Sequence, residues 1–141
     1  MSAVGSRSAL AAGLGCRSGC STEDIVAAVG AALARAGRTL AEVEAFYAPE
    51  LKNAEAGLRT AALQLGKPLC LLPMAALRAH TSGALSASPR VLERFGVPSI
   101  AETAALAGAC RDPGGVRARL LGPRVAVGGS TCALAVREPL R

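Results

Sequence analysis

Aromatic residues are nearly missing from this chain: one Tyr, two Phe and no Trp among 141 residues. Single-stranded nucleic acid is held largely by stacking on such rings. A net charge of +6 is compatible with nucleic acid, but the arginines are scattered rather than gathered into a basic run, so nucleic acid is not expected and a small polyanionic ligand fits the charge equally well. With so few rings, the core must be built from Ala, Leu and Val. No apolar run approaches the ~20 residues a membrane helix needs. Five cysteines, an odd count, argue against a closed disulfide framework. Residues 1–14 hold one Arg and an apolar patch but no long apolar region and no clear cleavage site. They read as leading into a first strand rather than as a signal peptide. The expected setting is the cytoplasm, with no membrane and with reduced thiols. Histidine occurs once, at His80, and lysine only at Lys52 and Lys67. There is no Walker pattern, no internal repeat and no linker.

Apolar residues make up 51% of the sequence, enough for one domain over 1–141 with one core. Strands are expected over 9–14, 43–47 and 68–72, the last a fully apolar run suited to a buried parallel strand. Helices are expected over 22–36, 54–65, 74–80, 89–95 and 100–108. Gly37, Gly66 and Gly96 supply stop signals, and Ser21, Ser88 and Ser99 serve as N-caps. Ser88-Pro89 is a favoured helix start, and Ser21/Asp24 and Ser99/Glu102 have capping-box spacing. Two closing strands, 119–127 and 131–136, flank Gly128-Gly129-Ser130. This order predicts an α/β layered domain: a mixed, partly parallel sheet flanked by helices, ending in a β-hairpin.

Residues 13–24, Gly13-Leu14-Gly15-Cys16-Arg17-Ser18-Gly19-Cys20-Ser21-Thr22-Glu23-Asp24, form the most informative stretch. A strand, a glycine-rich turn and a helix start gather backbone N–H groups, a helix dipole and the Arg17 guanidinium. That combination suits a carboxylate or phosphate. A dinucleotide fingerprint is incomplete, because Ser18 stands where its third glycine belongs.

Gly13-x-Gly15-Cys16-Arg17-x-Gly19-Cys20-Ser21 is followed in order by Leu51-Lys52-x-x-Glu55, Ser88-Pro89-x-Val91, Gly96-Val97-Pro98-Ser99-x-Ala101-Glu102 and Thr131-x-Ala133-x-Ala135. This ordered set resembles the cobalamin biosynthesis CobE family, which is similar to the C-terminal domain of CbiG, the cobalt-precorrin-5A hydrolase. The resemblance spans essentially the whole chain. It implies a stand-alone α/β domain acting in cytoplasmic corrin ring construction. Pro123-Arg124 stands where the family usually has a lysine. The N-terminal part of the CbiG type has no counterpart here, so hydrolase activity located there does not carry over.

The expected ligand-binding residues are Gly13, Gly15, Cys16, Arg17, Gly19, Cys20, Ser21, Lys52, Glu55, Ser88 and Thr131. Lys52 and Glu55 follow the second strand, and loops after parallel strands share one sheet edge. Gly128 to Ser130 sit at the hairpin beside Thr131. Cys16 and Cys20 stay open as a redox pair, a metal half-site, a nucleophile or packing residues. One C-x₃-C without a second Cys/His pair is weak for zinc. His80 is open between a base, a metal ligand and a helix-end charge partner. Cys70 reads as core. The leading expectation is a protein that binds a polycarboxylated corrin or precorrin as carrier or accessory factor, with other enzymes of that pathway as further partners. No cofactor and no bound metal are expected. The alternative is hydrolysis of a precorrin lactone or acyl group, with Cys16 or Cys20 as nucleophile or Glu55 as base.

Overall fold

The computed structural model describes residues 9–52, 55–110 and 116–139. In chain order the elements are β1 (Leu10–Cys16), α1 (Thr22–Ala36), β2 (Val43–Pro49), α2 (Ala56–Leu65), β3 (Leu69–Leu72), α3 (Met74–Arg78), α4 (Pro89–Phe95), α5 (Ile100–Ala109), β4 (Val116–Leu120), β5 (Val125–Val127) and β6 (Ser130–Pro139). The strands form one sheet in the order β3-β2-β1-β6-β4, with β5 also pairing to β6. β1, β2 and β3 are parallel, and β6 runs antiparallel to β1, β4 and β5.

Helices cover both faces. On one, α1 and α2 bring Ile25, Val29, Leu33 and Leu58 onto Leu10, Leu14, Phe46 and Leu134. On the other, α3 and α5 bring Leu77, Ala101, Ala105 and Leu106 onto Ala11, Tyr47, Ala133 and Ala135. The central strands are buried on both sides, which is why they read as unbroken apolar runs. The mixed, helix-flanked sheet and its terminal hairpin are as expected.

α5 packs unusually close to the sheet. Every residue from Ala101 to Ala109 is buried, and most are alanine. A Cβ on Gly13 would strike the backbone of Ala101 and Ala105, and one on Gly15 would come within 3.6 Å of the Ala101 nitrogen. Gly13 and Gly15 are therefore strand residues lying under a helix. This corrects the expectation that the first strand ends at 14 and that the loop opens at Gly15. β1 continues to Cys16 because β6 pairs with it residue for residue to that point.

The caps follow the sequence signals. Ser21 Oγ accepts from the Asp24 N–H at 3.0 Å, Ser88 Oγ from Val91 at 3.4 Å and Ser99 Oγ from Glu102 at 3.2 Å. Gly37 ends α1 in the left-handed region, at φ 68°. α3 is shorter than expected and ends at Arg78. His80 then leads into a single 3-10 turn, Thr81–Gly83.

The expected strand over 119–127 is in fact two strands. The Leu121 N–H still donates to Leu134 O at 2.9 Å, but Pro123 has no N–H and Arg124 turns its own toward Glu102. β5 then rejoins β6 with Val125 opposite Cys132.

Candidate functional site

β1 occupies the position where the chain's progress across the sheet reverses, since β2 and β3 lie to one side and β6 and β4 to the other. Ligands of open α/β sheets bind at the carboxyl ends of the strands beside such a point. α1 starts there on one face, capped by Ser21. α5, capped by Ser99, starts there on the other face, since Ile100 and Ala101 lie over Gly15. Two helix N-termini thus flank the end of one strand, and their dipoles favour negative charge.

The loop between β1 and α1 docks on the β5–β6 hairpin. The Arg17 N–H donates to Gly129 O at 3.0 Å, and the Cys20 N–H to Arg17 O at 3.0 Å. A Cβ on Gly129 would meet the Cβ atoms of Arg17 and Cys20 at 3.7 Å. Thr131 Oγ1 donates to Gly15 O at 3.3 Å. The Arg17 side chain is exposed, and Cys16 and Cys20 are half-buried against the α1-side core. Gly19, at φ 76°, turns its N–H onto Glu55 Oε1 at 3.0 Å. Thr22 Oγ1 donates to Gly57 O at 3.2 Å, fastening α1 to the start of α2.

The structure thus brings Gly15, Cys16, Arg17, Gly19, Cys20, Ser21, Glu55 and Thr131 together. Gly13 lies deeper, beneath α5. The Lys52 backbone ends a short turn after β2, and its side chain lies outside the described residues. Ser88 caps α4 and its N–H donates to Pro98 O at 2.9 Å, which ties it to the segment leading into α5 rather than to the glycine loop. The loop carries fewer open N–H groups than expected. Those of Arg17, Gly19 and Cys20 are taken, and Glu55 supplies a carboxylate of the protein's own.

Ser130 stands across from Cys16 in the ladder. It is 1% exposed, and its Oγ has no hydrogen-bond partner among the described residues. Buried hydroxyls are normally paired, so this unpaired oxygen stands out at the same edge.

Sequence reasoning missed the part played by Glu102. Its residue is fully buried, yet its carboxylate does not reach back to complete a capping box. Oε1 accepts the N–H groups of Leu85 and Ser86 at 2.8 Å each, and Oε2 accepts Ser86 Oγ–H at 2.6 Å and the Arg124 N–H at 2.8 Å. Burial alone would raise its pKa. The bonds from the Ser86 hydroxyl and from the backbone of Arg124, Ser86 and Leu85 outweigh it, so the carboxyl sits below its usual value. The only sequence signal was Glu102 at the N3 position, which capping explained too readily. Burial also lowers the His80 pKa and pushes the Cys132 thiol up to about 12. Cys70 is half-buried against the α5-side core. No helix among the described residues is long and apolar enough to cross a membrane.

The architecture defines a class: three-layer α/β/α domains with a prepared edge at the sheet's reversal point. Within that class, residues 10–135 match the family described as cobalamin synthesis G C-terminus. The chain belongs to this family and is a cobalamin biosynthesis protein. It is similar to CobE, a protein from the cobalamin (vitamin B12) biosynthetic pathway, at 41% identity and TM-score 0.87, over 95% of this chain and 94% of that one. It is also similar to cobalamin biosynthesis protein chiG from Agrobacterium tumefaciens, at 35% identity and TM-score 0.67, over 90% of this chain and 97% of that one. A cobalamin biosynthesis protein G homologue from Sulfolobus solfataricus shares the fold at 16% identity and TM-score 0.64. There 93% of this chain corresponds to 37% of the other. No curated protein sequence matches the chain.

Proposed function

We propose that the domain binds a polycarboxylated corrin or precorrin at the carboxyl edge of β1, as a carrier or accessory factor in ring construction. One observation carries this reading: two capped helix N-termini and the exposed Arg17 converge on the end of β1. Such rings bear several acetate and propionate groups. A carboxylate between two helix starts is favoured by both dipoles, and Arg17 can close on it in a charge-assisted pair. The Ser130 hydroxyl offers a further donor at that edge. The net charge of +6 raises encounter rates with a polyanion at low salt. Lys52, at the end of the neighbouring strand, is the second cation in this reading.

The test is calorimetric and visible-absorbance titration with hydrogenobyrinic and cobyrinic acids at two salt concentrations. Binding should weaken as salt rises. Arg17→Ala should weaken it further, by roughly 3- to 10-fold at low salt. Absence of binding to both acids, with the protein folded, removes the proposal for these late ring forms.

Glu55 gives an opposite expectation. Its carboxylate holds the Gly19 N–H and repels an incoming anion. Glu55→Gln keeps an acceptor for that N–H and removes the charge, so corrinoid affinity should rise by about 2- to 5-fold at low salt and by less at high salt. A fall in affinity would instead make Glu55 a direct ligand contact.

A further inference from the structure

We propose that the outer edge of β4 is a docking site for an extended, acidic segment of a partner protein whose apolar and acidic residues alternate. β4 is the last strand of the sheet on its side. The Leu121 N–H bonded to Leu134 O sets the phase of the antiparallel ladder. By alternation, Arg119 and Arg117 turn their backbone groups toward β6, while Ala118 and Leu120 turn theirs outward. The outward groups have no backbone partner among the described residues.

The two sides of this edge differ in chemistry. Along this edge lies a groove of about 340 Å³ lined by Gly83, Leu85, Leu106 and residues 117–120 of β4, Arg117 and Arg119 included. Leu85 lines it and is 60% exposed. Its backbone is fixed, because Glu102 accepts both the Leu85 and Ser86 N–H groups. Arg117 and Arg119 alternate with Ala118 and Leu120 along the strand and are exposed. Arg119 stands opposite Val136, which belongs to the α1-side core. The arginine row therefore lies on the α1 side.

A strand added to this edge would place alternate side chains on opposite faces. Those on the α5 side meet leucines, and those on the α1 side meet arginines. Cross-strand pairs of opposite charge stabilise and like pairs destabilise. A second copy of this chain paired through β4 would set arginine rows face to face, so charge selects an acidic partner. Main-chain bonding then supplies affinity, and the alternating pattern supplies specificity.

The test uses the purified full chain and short fluorescein-labelled peptides. One alternates valine and glutamate, one has the same composition in blocks, and one alternates valine and lysine. The first should bind at least about tenfold more tightly than the other two. Its amide shift changes should fall on Leu85, Ala118 and Leu120. Arg117→Glu should weaken it severalfold. Ala118→Pro removes an outward N–H, a change edge strands tolerate, and should abolish binding without loss of the fold. If Ala118→Pro does not fold, Arg117→Glu and the shift map still decide. Equal binding of all three peptides, no binding of any, or shift changes confined to residues 15–21 would overturn the proposal. So would a doubled mass in light scattering with the β4 amides protected, which would give the edge to a second copy.

Discussion

Gly13→Ala is expected to lose most of the domain's stability, about 4–5 kcal/mol, lowering the melting temperature by roughly 15 °C or leaving the protein insoluble. The added methyl has nowhere to go. It would overlap the carbonyl of Ala101 and the amide of Ala105, both backbone atoms of α5, so no side-chain rotation relieves it. α5 would have to lift from β1 as a body, and its buried face from Ala101 to Ala109 packs over β1, β2 and β6. Gly30 provides the control. It lies exposed within α1, and a Cβ there meets nothing within 4 Å. Gly30→Ala should therefore stabilise by about 0.5–1 kcal/mol through helix propensity. Thermal melts of the two variants beside the parent check both signs. A Gly13→Ala protein melting within a few degrees of the parent would mean that α5 does not press on β1 as described.

Much of this fold was legible because its signals are local. Ser21, Ser88 and Ser99 begin helices where cap chemistry requires, and Gly37 and Gly66 end them. The apolar run 68–72 does form a parallel strand, but as the edge strand of the sheet, with Leu69, Cys70 and Leu71 only half-buried and Leu72 alone buried, which corrects the expectation of a fully buried strand. What sequence could not show is what lies across the sheet. A glycine in Gly-x-Gly looks the same whether it frees a loop or admits a helix. Only the alanine face of α5, some ninety residues later, distinguishes the two. The Gly19–Glu55 bond joins residues 36 apart, and no local pattern announces it. The break between β4 and β5 was legible in Gly122-Pro123, a turn pair that the expected strand over 119–127 ran through. Of the expected site, the cluster around Arg17 assembles, while Ser88 joins a different segment.

Glu102→Gln is expected to destabilise by about 2–4 kcal/mol, or roughly 10 °C, although it changes shape very little. All four groups facing this carboxylate are donors. An amide can serve Leu85 and Ser86 with its oxygen. Its NH₂ then faces the Arg124 N–H, donor against donor. The Ser86 hydroxyl can turn to accept, but a backbone N–H cannot, so one buried amide is left unpaired. The effect should carry a pH signature. The folded-state pKa of Glu102 is lowered, so its contribution is complete above the ordinary carboxylate value of about 4.3 and is lost as pH falls through the lower folded value. The stability gap between parent and Glu102→Gln should therefore be flat from neutral pH to about pH 5. It should narrow only in more acid solution, because protonating the parent's carboxyl also puts a donor where acceptors are needed. Denaturant melts of both proteins across that range measure the gap. A gap that stayed constant from neutral pH to well below pH 4 would mean that the Glu102 carboxyl titrates in the fold as it does in the unfolded chain, so that the donors around it do not favour its charged form.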